Sequence, residues 1–186
     1  MVIPGEIEST LTAYPGFIPG LLVSIVLAGA LSRRVGGFLQ VDRALGATLV
    51  FSVLLIASVT LTPGGNAPRL AGSCDLSRIG PPPLPDILKI SEVSLNVLLF
   101  VPLGCGLGLL PRSRRKVVLL VAAMVMPVAI ELFQLALPAL DRACQSADVS
   151  DNLTGLLVGL VLGTMAGWAA NRRRRGTRLA NDQAPQ

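Results

Sequence analysis

Apolar positions in this chain come in long unbroken blocks. Residues 16–31, 44–61, 93–110, 117–137 and 153–170 hold one charged side chain among them, Glu131. A helix rises about 1.5 Å per residue, so crossing a ~30 Å hydrocarbon core takes roughly 20 apolar residues. The blocks therefore predict an all-α, polytopic membrane bundle of about five transmembrane helices. The first block is short and contains Pro19, and Pro102 and Pro127 fall inside the third and fourth. Membrane helices accommodate proline where neighbours satisfy the freed carbonyl, so both are candidate kinks.

The connections predict orientation. Arg33, Arg34 and Arg43 follow the first block, Arg112, Arg114, Arg115 and Lys116 the third, and five arginines between 172 and 178 the fifth. These twelve basic residues share one side of a five-span arrangement, and the other side holds Arg69, Arg78, Lys89 and Arg142. Basic loops stay cytoplasmic, so the N-terminus is expected outside and the C-terminus inside. MVIPGEIEST lacks the basic start of a cleaved leader, so the first block is expected to be retained. Residues 1–178 read as a single domain and 179–186 as a disordered cytoplasmic tail. The connection 62–92 contains GPPPLP and reads as a stiff extended loop.

Composition agrees with a membrane protein. Hydrophobic residues make up 52% of the 186 and charged residues 15%, against about a quarter charged in soluble domains. In so apolar a chain the net charge of +5 reads as a topology signal, and nucleic acid is not an expected partner. The absence of histidine excludes a histidine base, a histidine triad and histidine metal ligands.

Polar residues gather at one end of the spans in this arrangement. The fourth block carries Glu131 and Gln134 near its outer end. The third has Glu92 at its lip and Asn96 one turn in. The fifth opens with Asp148, Asp151 and Asn152, and the preceding loop supplies Asp141 and Arg142. A carboxylate in hydrocarbon costs about 2.5–3.5 kcal/mol at the centre of a span. Glu131 should therefore face the interior and have a partner, for which Arg142 is the nearest cation in sequence. The cluster reads equally as a clamp tying helix ends together or as a site. Asp148, Asp151 and Asn152 also suit helix capping.

Gly155, Gly159, Gly163 and Gly167 form a four-residue ladder, a signal for close helix packing inside the bundle or in a dimer. Gly104, Gly106 and Gly108 step by two and so spread around the third span. Cys105 reads as a buried free thiol. Cys74 and Cys144 fall in the two outward loops, where a disulfide would tie the long loop over the polar cluster. Cys144 as a thiolate near Arg142 is the alternative.

NVLLFVPLG at 96–104, ELFQ at 131–134, Arg142 and DVSDNLTGLLVG at 148–159 together resemble the VanZ-like family. Its pattern is an Asn with a downstream Phe-x-Pro-x-Gly, then Glu-x-x-Gln, Arg, and Asp-x-x-x-Asn with a following glycine. Here those are Asn96, Phe100, Pro102, Gly104, Glu131, Gln134, Arg142, Asp148 and Asn152, with Asp151 before the asparagine. The match spans about 91–163, and the first span and arginine tail lie outside it. The resemblance implies a multi-pass protein of the bacterial inner membrane. Through the family's namesake it implies a link to low-level tolerance of the glycopeptide teicoplanin. It does not supply a reaction, and the cofactor stays unknown.

Four function classes follow. In the first, an outward pocket binds a polar or lipid-linked ligand, such as a lipid-linked cell-wall precursor, with Asn96, Gln134, Arg142 and Asn152 as binding residues. In the second, Glu131, Asp148 and Asp151 act on a lipid-linked envelope substrate as general acid and base, or as oxygen ligands for Mg²⁺ or Mn²⁺. A proton-coupled transporter using Glu131 fits less well, because no inverted repeat is visible. A scaffold whose cluster only clamps helices is the remaining class.

Overall fold

The computed structural model describes residues 17–63 and 73–182. Helix α1 (Phe17–Leu39) and helix α2 (Arg43–Thr60) form a pair joined by a tight turn. Gln40 closes α1 in the left-handed region, φ 58°, and the Asp42 carboxylate opens α2 by accepting from Leu45 N–H at 2.7 Å. The chain continues through strand β1 (Cys74–Asp75) and a single helical turn α3 (Leu84–Ile87). Helix α4 (Glu92–Leu109), helix α5 (Arg114–Ala136), a 3-10 turn (Pro138–Leu140), strand β2 (Cys144–Gln145) and helix α6 (Ser146–Asp182) follow. The N-terminal decapeptide and Arg69 lie outside the described residues, as do residues 183–186.

Five helices, α1, α2, α4, α5 and α6, are long and apolar enough to cross a membrane. Two differ most from the sequence reading at their ends. The first runs on through Arg33 and Arg34 to Leu39, with both arginines exposed; long basic side chains reach polar surroundings from a helix end. The last begins at Ser146 rather than near 153, because the helix includes its polar first turns. It runs on to Asp182. The stiff proline-rich loop contains one helical turn, starting at Leu84, where a proline's fixed φ suits the first helical turn.

The largest helix contact is α4 on α6, followed by α1 on α2; α2 also touches α4, and α5 packs on α6. The neighbours therefore run α1, α2, α4, α6, α5, with the last span lying between the third and fourth. Glycine explains how closely α4 and α6 approach. A Cβ on Gly155 would run into the Val97 carbonyl, and one on Gly159 or Gly163 into the carbonyls of Val101 or Cys105. From the other side Gly104 and Gly108 meet the backbone of α6, whereas Gly106 turns toward the Leu49 side chain of α2. Gly167, the last rung, has only Leu109 nearby, at 3.7 Å.

One cluster of buried side chains unites all five spans, from Leu39, Leu49 and Ile56 through Phe100, Leu103 and Leu107 to Ala123, Ile130 and Leu156. The outside is apolar as well: Leu22, Val26, Val118, Met124, Val161 and Met165 are exposed. Among buried residues, in contrast, are Ser24, Ser52, Thr60, Glu131, Gln134, Asp151 and Asn152. Ser24, Ser52 and Thr60 bond back to carbonyls of their own helices at 2.7–2.8 Å, so their hydroxyls are satisfied without water. Exposed apolar and buried polar side chains together describe a surface made for lipid.

The two ends of the bundle differ. At the arginine end, Arg115 stacks on Phe38 with 4.7 Å to the ring centre and donates to its carbonyl. Lys116 donates to Gly108 O and Leu110 O at 3.1 Å each, closing the C-terminus of α4, and Arg172 lies 4.3 Å over Trp168. Cys74 and Cys144 are joined by a disulfide at the other end, with Cα atoms 4.6 Å apart. Around that bridge β1 and β2 pair in parallel, Cys74 opposite Cys144 and Asp75 opposite Gln145.

Candidate functional site

Polar side chains converge under the disulfide. The membrane-compatible part of α6, Ser146–Arg173, is 28 residues long, about 42 Å against a ~30 Å core. One end must project beyond the hydrocarbon, and the first two turns are the polar ones. Asp148, Asp151 and Asn152 lie in those turns, within the helix instead of capping its mouth. Residues three and four apart share a helix face, which places Asp148, Asp151, Asn152 and Gly155 together toward α4. Gly155 allows the α4 backbone to come close there, and Asn96 Nδ2 reaches Asp148 Oδ1 at 2.8 Å.

Glu131 and Gln134, one turn apart on α5, are both buried. Glu131 Oε2 accepts from the Gln145 N–H at 2.8 Å, which ties α5 to β2. Gln134 Nε2 donates to Thr60 O at 2.8 Å, satisfying a carbonyl in the last turn of α2. Arg142 Nη2 donates to Val59 O at 2.6 Å, and its charge lies within electrostatic reach of Glu131 and Asp148. Asp141 precedes it in the left-handed region at φ 50°, ending the 3-10 turn and redirecting the chain toward β2. Glu92 sits in the first turn of α4, within electrostatic reach of Asp148.

Arg78 is the member that sequence reasoning missed. It stands four residues after Cys74 on the strap that the disulfide fastens to the start of α6. Its Nη2 pairs with Asp151 Oδ2 at 2.6 Å and approaches Ala147 O at 3.4 Å. The Asp151 carboxylate lifts the Arg78 pKa above its ordinary value, against the opposite pull of burial. Ser146 Oγ donates to Arg78 O at 2.8 Å, and Gly80 N–H donates to Ser150 Oγ at 3.2 Å. Two strand pairings and a disulfide to β2, with four hydrogen bonds to α6, thus seat the strap. The available signal was that Arg78 is one of four cations outside the basic loops.

Asp151 is 1% exposed and Asn152 2%. Asp151 Oδ1, Asn152 Oδ1 and Arg78 Nη1 are buried atoms with no hydrogen-bond partner. Two acceptors and one donor are thereby open in a place where leaving them so costs about 1–3 kcal/mol each. Among the described residues no group of three or more acids or thiols is close enough to share a metal ion. The carboxylates are spread over α5 and α6 with amides and guanidinium groups between them, an arrangement that suits hydrogen bonding to a ligand or proton exchange.

An apolar exterior around a buried acid, amide and guanidinium cluster at one boundary defines a multi-pass membrane protein. The family model described as VanZ/LLP1 matches residues 49–167, from within α2 to the last rung of the glycine ladder. The chain belongs to that VanZ/LLP1 family. No curated protein and no solved structure matches it.

Proposed function

We propose that this is an inner-membrane protein of the bacterial envelope whose disulfide end faces outward. There, the cluster of Asn96, Glu131, Gln134, Arg142, Asp148, Asp151, Asn152 and Arg78 binds a polar or lipid-linked ligand. Two independent features support that orientation. Disulfides persist on the oxidising side of a membrane, and the basic loops collect at the opposite end, as cytoplasmic loops do. Residues 1–178 act as one domain in this reading, and the C-terminus is cytoplasmic.

The observation that carries the binding role is the set of open buried atoms on Asp151, Asn152 and Arg78. A clamp evolved only to hold helices together would close its hydrogen bonds internally, because unmet ones oppose stability. A ligand carrying both a donor and an anionic oxygen meets all three. A surface target of teicoplanin, altered or masked by such binding, connects the site to the tolerance associated with the family's namesake.

The test compares wild type, Asp151→Asn and Asn152→Leu in a host deleted for the gene, measuring teicoplanin susceptibility and protein abundance. Tolerance should fall in the variants at undiminished abundance. Tolerance that simply tracks abundance would leave a clamp, and none at all on deletion or overexpression would remove the resistance link. A second reading, proton-transfer chemistry on a lipid-linked substrate, draws on Glu131 and Asp148 lying within electrostatic reach of each other. Full function of both Glu131→Gln and Asp148→Asn would end it.

A further inference from the structure

The strap and the turn that follows it bear an apolar surface that the bundle does not cover. Leu76, Ile79, Leu84, Leu88 and Ile90 are between 67% and 83% exposed. None of them belongs to a span. Leu84 and Leu88 are four residues apart and share one side of α3. The backbone presenting them is held from behind. Pro82 is buried, Ser91 Oγ donates to Asp86 O at 2.9 Å, and the Gly80 N–H is bonded to Ser150.

Position says what covers this surface. Ser91 caps α4, which is 18 residues long, about 27 Å, and so has both ends at the edges of a ~30 Å core. Three residues separate Leu88 from Glu92, a reach of about 14 Å at most. The exposed apolar surface continues down α4 through Leu95 and Leu98, which face outward from the span. Lys89, between Leu88 and Ile90, is exposed.

We infer that Leu76–Ile90 is an interfacial platform: its leucines and isoleucines dip into the acyl boundary of the leaflet at the disulfide end, and Lys89 meets the phosphate layer. The occupant of this surface is lipid, since the surface is continuous with the lipid-facing side of α4. The polar cluster then opens beside lipid headgroups, with Arg78 next to Ile79 at the edge. The platform requires the membrane-spanning arrangement alone and stands whether or not the cluster binds a ligand.

The chain has one tryptophan, so Trp168→Phe leaves a silent background. Leu88→Trp in that background, with the full chain in bilayers, reports the platform; Leu98→Trp reports the α4 lipid face. Phospholipids brominated near the carbonyl end of the acyl chain should quench Leu88→Trp by about half, and those brominated near the chain terminus much less, as expected for burial at the headgroup boundary. Leu98→Trp should be quenched more evenly by both. A red-shifted, unquenched Leu88→Trp beside a quenched Leu98→Trp overturns the platform in favour of water. A blue-shifted but unquenched Leu88→Trp overturns it in favour of a protein cover. If neither probe is quenched, the spanning arrangement fails, and the platform with it.

Discussion

Replacing Gly155 by alanine adds one methyl group at the closest point between α4 and α6. The new Cβ would meet the Val97 carbonyl oxygen, with Val97 C at 2.8 Å and Cα at 3.0 Å. All three atoms are backbone, so no side-chain rotation relieves the contact. Ordinary C···O approaches are about 3.3–3.6 Å, and the helices must part by something near 1 Å. A gap of 0.5–1 Å forfeits about a quarter to a half of each dispersion contact along the seam. Overpacking of this kind costs about 1–3 kcal/mol. Gly167→Ala is the control: the same methyl group finds only Leu109 Cδ2, at 3.7 Å. Alanine exceeds glycine in helix propensity by up to about 1 kcal/mol. That gain largely cancels if unfolding in SDS leaves the helices formed. The assay is SDS-driven unfolding from mild detergent, followed by near-ultraviolet circular dichroism. Gly155→Ala should be at least ~1 kcal/mol less stable than Gly167→Ala. Equal stability of the two variants would refute the close seam on which the placement of Asp148 against Asn96 depends.

Arg78→Met leaves the Asp151 carboxylate buried without its cation and should cost about 1–3 kcal/mol, below the value for a fully buried pair because Arg78 is 30% exposed. Asp151→Leu added to Arg78→Met should recover much of that loss in the same unfolding assay, and a further drop would contradict the pairing. Gln134→Leu removes the donor to Thr60 O and should destabilise by about 1–3 kcal/mol, whereas a neutral result would mean that water serves that carbonyl. Reducing the Cys74–Cys144 bridge should free the strap. Its entropic contribution is at most about 4 kcal/mol by chain-closure arithmetic, and less in a bilayer that already restrains the spans. Protease cleavage near Arg78 should appear on reduction, and unchanged resistance would show that hydrogen bonds alone hold the strap.

Long apolar blocks made the spans legible, since block length maps directly onto bilayer thickness. The ends were less so. Hydropathy registers the apolar part of a helix, and α6 starts with SADVSDN, which is helical but polar. The α1 extension through Arg33 and Arg34 was hidden for the same reason. Within the cluster, Glu131, Gln134 and Asn96 stand out because a polar group in an apolar block is conspicuous, and Asp148 because it stands at the mouth of one. Arg78 did not stand out, because a cation in a proline-rich loop is unremarkable, and its pairing with Asp151 crosses 73 positions that no periodicity spans. The nearest cation in sequence, Arg142, was the natural partner to name for Glu131. The chain adds the Gln145 amide to that carboxylate, with the Arg142 charge in reach as well, because β2 is drawn to β1 by the disulfide pairing.

The cystine also sets a clock for biogenesis. Its two halves are 70 positions apart, and α4 and α5 are synthesised between them. At about 5–20 residues per second, Cys74 waits roughly 4–14 s before its mate leaves the ribosome. On the outward face proposed above, Cys74 stands without its mate throughout that interval. Closure consequently follows the synthesis of α5, and cells deficient in disulfide formation should accumulate an inserted but unlatched form.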